Sequence, residues 1–600
     1  MTKGANCFRW ADGICENETR LLFAKVRLDN RSHLIEALAL PQDVTDPDLL
    51  LALYSEHGVE CADLILGDFA FAIWDADRGR VYAARDIMGC QPVYYSNNGE
   101  GFFIAERLEQ LLVYDTVSRR EDEPYIAATL TRAFAHFERT SFAEIRKIPP
   151  GNYIIADPDG TTITPYWRPE QISLRQWNSH EECLSEFRQL LRQAIADRLP
   201  VKGNVGVHVS GGLDCSSIAI LTAKMLSADK KPPPIALTWY PAPHPEQSEI
   251  ETEEYERVAA VCARMHVEPV YTEPSVDIVL DVLDRDHRTN PICNASYNEL
   301  PVLEQASEAG VTVIFSGFGG DEAASFDGRG YFEELASNGH WEKLASLTTG
   351  HPRGSLRFVL ASLADSFAHR FASDERLRRF QEDRRTPGVS GLRAILRLIS
   401  PPGWRRTSGA VGDDDQRRGF LDGKAWNSIE ALPPIPVVRT PNTRAARCNL
   451  LRWPGLITRI ESMASDAAPY GIRHVYPMMD RRIVEFALSL PSHVFRDKHW
   501  KRLFFRQAMD PILPEEVCWR EIKDDPARVT PLLLALKGAF AIVGKRYSSG
   551  ESLPARSRYV DMERLIRDLD PNSFERRSRI GRIWSAVEFV GAASRENDSK

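Results

Sequence analysis

The stretch VHVSGGLDCSS, from Val207 to Ser217, joins a short apolar run to a helix-compatible segment through two glycines. Glycine carries no side chain to block close approach, so a strand ending in Ser210, Gly211 and Gly212 lets the backbone come near a ligand. A helix beginning near Cys215 aims its free amides and positive dipole end at the same place, where phosphate binds well. The loop lacks the lysine of a GxxxxGK P-loop, which argues against a hydrolase of that class. A carboxylate at Asp214 inside an anion pocket is repulsive unless a cation such as Mg²⁺ intervenes, and hard oxygen ligands are what Mg²⁺ prefers. Taken alone, the stretch also fits a structural turn after a strand.

A second stretch narrows the choice. VTVIFSG, from Val311 to Gly317, reads as another buried strand and runs into Phe318, Gly319, Gly320, Asp321 and Glu322. IALTWY, from Ile235 to Tyr240, reads as a third strand, with helix-like segments such as TEEYERVAAVCARM between them. Upstream, CLSEFRQLLRQAIADRLP puts Leu184, Phe187, Leu191, Ile195 and Leu199 on one helical stripe. Strands alternating with helices imply a parallel sheet with ligands beyond the carboxyl ends of its strands. Two glycine turns bearing acids would then leave one sheet edge, and Asp214 and Asp321 could share Mg²⁺ along a triphosphate.

The first 160 or so residues have a different texture. GDFAFAIWDADRGRVYAARD, from Gly67 to Asp86, has apolar runs bracketing Asp75, Asp77 and Gly79 and reads as a hairpin. PVYYSNNGEGFFIAE repeats the pattern, with an expected turn at Asn97 to Gly99. The polar, turn-rich segment from Pro158 to His180 shows no clear periodicity and marks a boundary. Residues 351–418, rich in arginine, serine and proline, show no sheet pattern; they read as a solvated helical surface or as a basic flap holding an acidic or peptide substrate.

At 600 residues the chain exceeds what one hydrophobic core supports, so two or more domains are expected. The net charge of -9 gives no general attraction to nucleic acid or anionic membranes. No apolar run approaches the length of a membrane span, and the expectation is a cytoplasmic enzyme. The 10 cysteines lack paired CxxC spacing and the 14 histidines lack HExxH spacing, which leaves a transition-metal site or a disulfide framework little support. His208, on the strand before the first loop, reads as a satisfied core histidine.

SGGLDCSS closely resembles the SGGxDSS pyrophosphate motif of the asparagine synthetase superfamily, an ATP pyrophosphatase fold that makes amides through acyl-adenylates. SGFGGDE resembles that superfamily's later SGxGxDE element. In the same order, GDFAFAIWDADRGRVYAARDIMGCQPVYY looks like its glutaminase-type N-terminal domain, and YPMMDRRIVEFALSLP with LPEEVCWREIK looks like its C-terminal helical part. The resemblance implies an α/β protein: a glutaminase-like, Ntn-type β-rich sandwich, degenerate and of class II amidotransferase type, over 1–175, and an ATP pyrophosphatase-type parallel sheet with helices over 176–600. It implies that ATP lies against Ser210, Gly211, Gly212, Asp214, Cys215, Ser216, Gly317 and Gly320, with Asp214 and Asp321 on Mg²⁺. Lys523, in WREIKDD, matches by context a lysine that would stabilise charge on pyrophosphate and the tetrahedral intermediate.

Departures from the family pattern refine the expectation. Glutamine-dependent members use a cysteine directly after the initiator methionine, whereas here position 2 is Thr2, and Cys7 and Cys15 are internal. Glutaminase activity is therefore expected to be lost, leaving an amine already on the substrate as nucleophile. Phe318 stands where asparagine synthetases typically carry a carboxylate and β-lactam synthetases a tyrosine, and it cannot abstract a proton. The SGxGGDE form and the arginine-rich insert look most like the lasso-peptide cyclases. That likeness implies a macrolactam synthetase that adenylates an Asp or Glu side chain of a precursor peptide, with a separate leader-binding protein and leader peptidase as partners. A β-lactam-type or other small-molecule amide synthetase, and an inactive peptide-binding scaffold, remain the alternatives.

Overall fold

The computed structural model describes residues 7–9, 14–17, 20–131, 138–243, 249–289, 295–348, 363–365, 367–374, 376–377, 420–428, 439–520, 530–549, 555–569 and 577–591. Ten strands form the N-terminal part: β1 (Cys7–Arg9), β2 (Ile14–Asn17), β3 (Arg20–Leu28), β4 (Gly67–Asp75), β5 (Arg80–Arg85), β6 (Tyr94–Asn98), β7 (Gly101–Ala105), β8 (Arg146–Lys147), β9 (Asn152–Asp157) and β10 (Gly160–Pro165). They make a six-stranded antiparallel sheet in the order β10-β9-β5-β4-β3-β2 and a four-stranded sheet in the order β1-β7-β6-β8.

The side-chain alternation of β4 and β5 explains how these sheets stack. Phe69, Phe71, Ile73 and Tyr82 point to one face and meet Leu49, Leu50, Leu53 and Tyr54 of the helix Asp46–His57. Ala70, Ala72 and Ala83 point to the other, and their small volume admits Tyr95, Phe102 and Ile104 of the second sheet. The result is the β-sandwich that the family resemblance implies. Both expected hairpins form. The second turns one residue late, with Asn98 paired to Gly101 across Gly99 and Glu100. The segment from Pro158 to His180 is more regular than its sequence suggests, because β10 pairs with β9 from Gly160 to Pro165. As a largely exposed edge strand, β10 has no buried face to impose alternation.

The C-terminal part is built on β11 (Asn204–His208), β12 (Ile235–Leu237), β13 (Pro269–Val270), β14 (Val311–Phe315) and β15 (Arg473–Val475), all parallel, in the order β13-β12-β11-β14-β15. Val205, Val207, Val313 and Phe315 face one core with the helices His180–Ala196 and Leu213–Ala228. Leu237, Val311 and Ile314 face a second core with the helix Ser296–Glu308. Burial on both faces is why these strands read as continuous apolar runs. The three expected strands are β11, β12 and β14. Most of 351–418 lies outside the described residues, so the flap reading does too. No helix among the described residues is long and apolar enough to cross a membrane.

Two buried ionic networks fasten the sandwich to the parallel-sheet part. Glu461 receives Arg85 Nη1 and Lys147 Nζ, each at 3.1 Å, and Arg85 also donates to the carbonyls of Ile148 and Gly89. Burial works against the Glu461 charge, but Lys147 and Arg85 outweigh it and hold the carboxyl below its ordinary range. Arg198 reaches Asp480 at 2.8 Å and also faces Asp29 and Asp68. Replacing Glu461 by Gln leaves two buried cations without a counter-ion, a loss of about 3–5 kcal/mol. Thermal unfolding of Glu461→Gln is expected well below that of the parent protein, whereas Glu109→Gln at an exposed ion pair leaves the midpoint unchanged.

Candidate functional site

The site lies where β11 and β14, neighbours in the parallel sheet, release the chain at the same edge. After β11, Val209 N still bonds Leu237 O at 2.8 Å, and the chain then turns through Ser210. Gly211 takes φ +65°, a left-handed conformation, and a Cβ there would come within 2.8 Å of Arg257 Cβ. Gly212 caps the helix Leu213–Ala228 with no side-chain cap, so first-turn amides there have no side chain accepting from them.

Glycines on the second loop let it interlock with the first. A Cβ on Gly317 would sit 2.3 Å from Cys215 N, and one on Gly320 would sit 2.5 Å from Asp214 Oδ1. Backbone contact this close draws Asp214 and Asp321 together, and one guanidinium bridges them. Arg502 Nη1 lies 3.1 Å from Asp214 Oδ2, and Nη2 lies 2.5 Å from Asp321 Oδ1. Arg502 itself has a left-handed backbone, φ 58° and ψ 29°, just before the helix Leu503–Met509.

Electrostatics at the loops favour further positive charge. Burial, then the charge of Asp321, pushes the Asp214 carboxyl up to about 7, with Arg502 opposing the rise. The Ser216 hydroxyl is buried without a hydrogen-bond partner among the described residues, and the Ser325 hydroxyl stands beside the Asp214 carboxyl. A buried unpartnered hydroxyl next to a crowded acid pair fits a hard divalent cation, which Asp214 and Asp321 would hold. On the other side of the loop, Arg257 is 4% exposed; its Nη1 lies 3.8 Å from Glu253, and its Nε and Nη2 have no hydrogen-bond partner among the described residues. Burial and then the nearby Arg520 push the Arg257 pKa down, and Glu254 and Glu253 only partly oppose the fall, a sign of incompletely balanced positive charge. An anion such as phosphate answers that need.

The remaining expected residues fall as follows. Burial raises the Cys215 thiol to about 11, which keeps it protonated at neutral pH. Ser216 is fully buried, and its amide bonds Gly212 O at 3.1 Å within the helix. Lys523 lies outside the described residues, as does Thr2. Cys7 and Cys15 lie on β1 and β2, within the sheets. Phe318 packs edge-on against Tyr476 at 5.8 Å.

Arg502 and Arg257 escaped the sequence reading, and so did the surroundings of His208. His208 and His474 place Nε2 at 2.9 and 2.6 Å from the same oxygen of Glu299, and Trp239 Nε1 donates to the other at 2.8 Å. These ligand atoms lie within 4.8 Å of one another, a His₂Glu set of the kind that holds zinc. Here the two imidazoles outweigh burial and hold Glu299 well below the carboxylate range, while Nδ1 of each histidine has no hydrogen-bond partner among the described residues. His208 is thus the bonded core histidine that its sequence context suggests.

The sequence profile of the Asparagine synthase family matches residues 186–589, and that of the Glutamine amidotransferase domain matches residues 30–167. Asparagine synthetase [glutamine-hydrolyzing] 3 of Bacillus subtilis is 29% identical over 190 residues, 32% of this chain and 31% of that protein. Amidase chyE of Penicillium rubens is 28% identical over 191 residues, 31% of this chain and 28% of that protein. Amidase chry2 of Gibberella zeae is 22% identical over 510 residues, covering 79% of this chain and 71% of its own. The chain thus spans about three tenths of the length of the first two of these relatives.

An acid whose pKa is raised on folding binds its proton more tightly in the folded state. Its cost to stability is absent below the ordinary value of 3.8 and grows as pH rises toward about 7. Between pH 5 and pH 8 without divalent metal, the protein is expected to lose stability relative to Asp214→Asn. Added Mg²⁺ is expected to narrow that gap, as read by thermal unfolding at each pH.

Proposed function

The chain belongs to the asparagine synthase family, and from that premise we propose that it is an ATP-dependent macrolactam synthetase acting on a precursor peptide. The observation that carries the adenylation step is the pairing of Asp214 and Asp321 at adjoining strand ends, beside a glycine loop flanked by Arg257. ATP lies along the loop from Ser210 to Ser216. Asp214 and Asp321 would hold Mg²⁺, which when bound would neutralise phosphate charge. Lys523 stabilises the charge that develops on pyrophosphate.

A carboxylate oxygen of the peptide's Asp or Glu side chain attacks the α-phosphorus, and the bond to pyrophosphate breaks. The peptide's amino nitrogen then attacks the acyl carbon, AMP leaves with the bonding pair, and the ammonium proton passes to solvent. Activation is required because a carboxylate is a poor electrophile whose leaving group would otherwise be oxide. Holding amine and acyl-AMP together supplies a high effective concentration. Excluding water protects the adenylate from hydrolysis.

Two observations support a substrate amine over ammonia drawn from glutamine. Cys61 lies in the short helical turn Gly58–Leu64 and Cys90 in the loop after β5; burial raises the Cys61 thiol to about 12 and Cys90 well above its ordinary value, so neither supplies a thiolate. Phe318, in the second loop, has no group able to take a proton. The choice of a peptide over a small amino acid rests on resemblance to lasso-peptide cyclases. A separate leader-binding protein and leader peptidase complete the proposal as partners.

The test is incubation of a leaderless precursor peptide with ATP and Mg²⁺. A product lighter by one water, formed with one AMP, is expected; AMP formation with a small β-amino acid but not with peptides would contradict it. Asp214→Ala and Asp321→Ala are each expected to slow AMP release by about 100-fold or more, the usual cost of a lost preorganised charge contact.

A further inference from the structure

A cavity of about 560 Å³ lies between the N-terminal sandwich and the helix Pro454–Ala467. Tyr94, Tyr125 and Lys147 line it from the N-terminal side, and Phe318, Thr458 and Arg459 from the other. Phe318 belongs to the loop that carries Asp321, so that loop contributes to the cavity's wall.

The cations around it are not equivalent. Lys147 is committed to Glu461, and Arg288 to Asp286 and Glu121. Burial depresses His287 to about 4, leaving it neutral. Arg459 has no carboxylate partner among the described residues; its guanidinium carbon stands 4.1 Å over the Phe318 ring. Its charge also reaches both loops. Burial raises Cys215 and Glu322, and Arg459 is among the groups that oppose the rise at each.

An incoming carboxylate must approach a site already occupied by Asp214, Asp321 and the phosphates it is to attack. Like-charge repulsion there must be offset by a local cation, and a guanidinium fits a carboxylate in shape as well as charge. We infer that this cavity is the acyl-substrate pocket and that Arg459 anchors the carboxylate to be activated, an inference that rests on the adenylation reading above. One carboxylate oxygen pairs with Arg459 while the other faces the α-phosphorus. The N-terminal sandwich then has a role that requires no glutamine hydrolysis: it supplies one wall of the pocket.

The experiment uses the full chain and two synthetic hexapeptide mixtures with randomised flanks, one carrying a central Glu and the other Gln. Phenylglyoxal labelling of Arg459, read by peptide mass spectrometry, reports binding; ATP–pyrophosphate exchange reports adenylation; calorimetry with Mg²⁺ATP reports the nucleotide site. The Glu mixture, not the Gln mixture, is expected to protect Arg459. Arg459→Gln is expected to raise the half-saturating concentration of the Glu mixture about tenfold or more, the loss of one charged hydrogen bond, with Mg²⁺ATP binding unchanged. Arg459→Lys is expected to recover part of it. Equal protection by both mixtures, or unchanged exchange in Arg459→Gln, overturns the assignment. Protection by Glu without exchange in the parent protein keeps the pocket and refutes the adenylation reading.

Discussion

Asp214 and Asp321 sit side by side because two parallel strands end at one sheet edge and their loops carry glycines where backbone meets backbone. That proximity is electrostatically costly. Arg502 bridges the pair, yet the burial of Asp214 and then the charge of the exposed Asp321 still push the Asp214 carboxyl up to about 7, so one guanidinium does not fully offset them. The site is therefore built to receive more positive charge on its acidic side. On its other side, Arg257 and Arg520 leave guanidinium nitrogens without hydrogen-bond partners among the described residues. A divalent cation and a polyphosphate answer both needs at once, and neither answers both alone.

The same balance bears on how the two halves of the molecule depend on each other. Glu461 ties Arg85 and Lys147 of the sandwich to the helix that carries Arg459, and Arg198 with Asp480 does the same near Asp29 and Asp68. Buried ion pairs of this kind contribute little relative to apolar packing, but they cost much when one member is removed. They also specify orientation, and the cavity between the sandwich and the helix Pro454–Ala467 exists only in that orientation. Retention of a β-sandwich in a chain that resembles enzymes with a glutaminase domain thus has a physical reason independent of any thiol chemistry.

Much of this was legible in the sequence, for local reasons. SGGLDCSS and SGFGGDE declare themselves because glycine, strand and helix signals act over a few residues, and the alternation in β4 and β5 needs only a half-buried pleat. The edge strand β10 reads in sequence only as part of a turn-rich boundary segment, because exposure on both faces removes the pattern that marks a strand. Arg502 could not be found, since it reaches Asp214 across 288 positions of chain and lies in a segment with no motif. Likewise His208, Glu299 and His474 are 91 and 175 positions apart, and no spacing rule joins residues brought together by β11, β15 and a helix. Arg459 sits in an ordinary amphipathic helix, and its lack of an acidic partner among the described residues is a property of the folded surroundings alone.

The most direct measurement is calorimetric titration of ATP into the full chain, with and without Mg²⁺, alongside Asp214→Asn and Asp321→Asn. Binding that requires Mg²⁺ in the parent protein, and is lost or sharply weakened in each variant, is the predicted result. Nucleotide binding of equal strength without metal, or undiminished in either variant, would contradict the claim that the paired acids exist to hold a cation against phosphate.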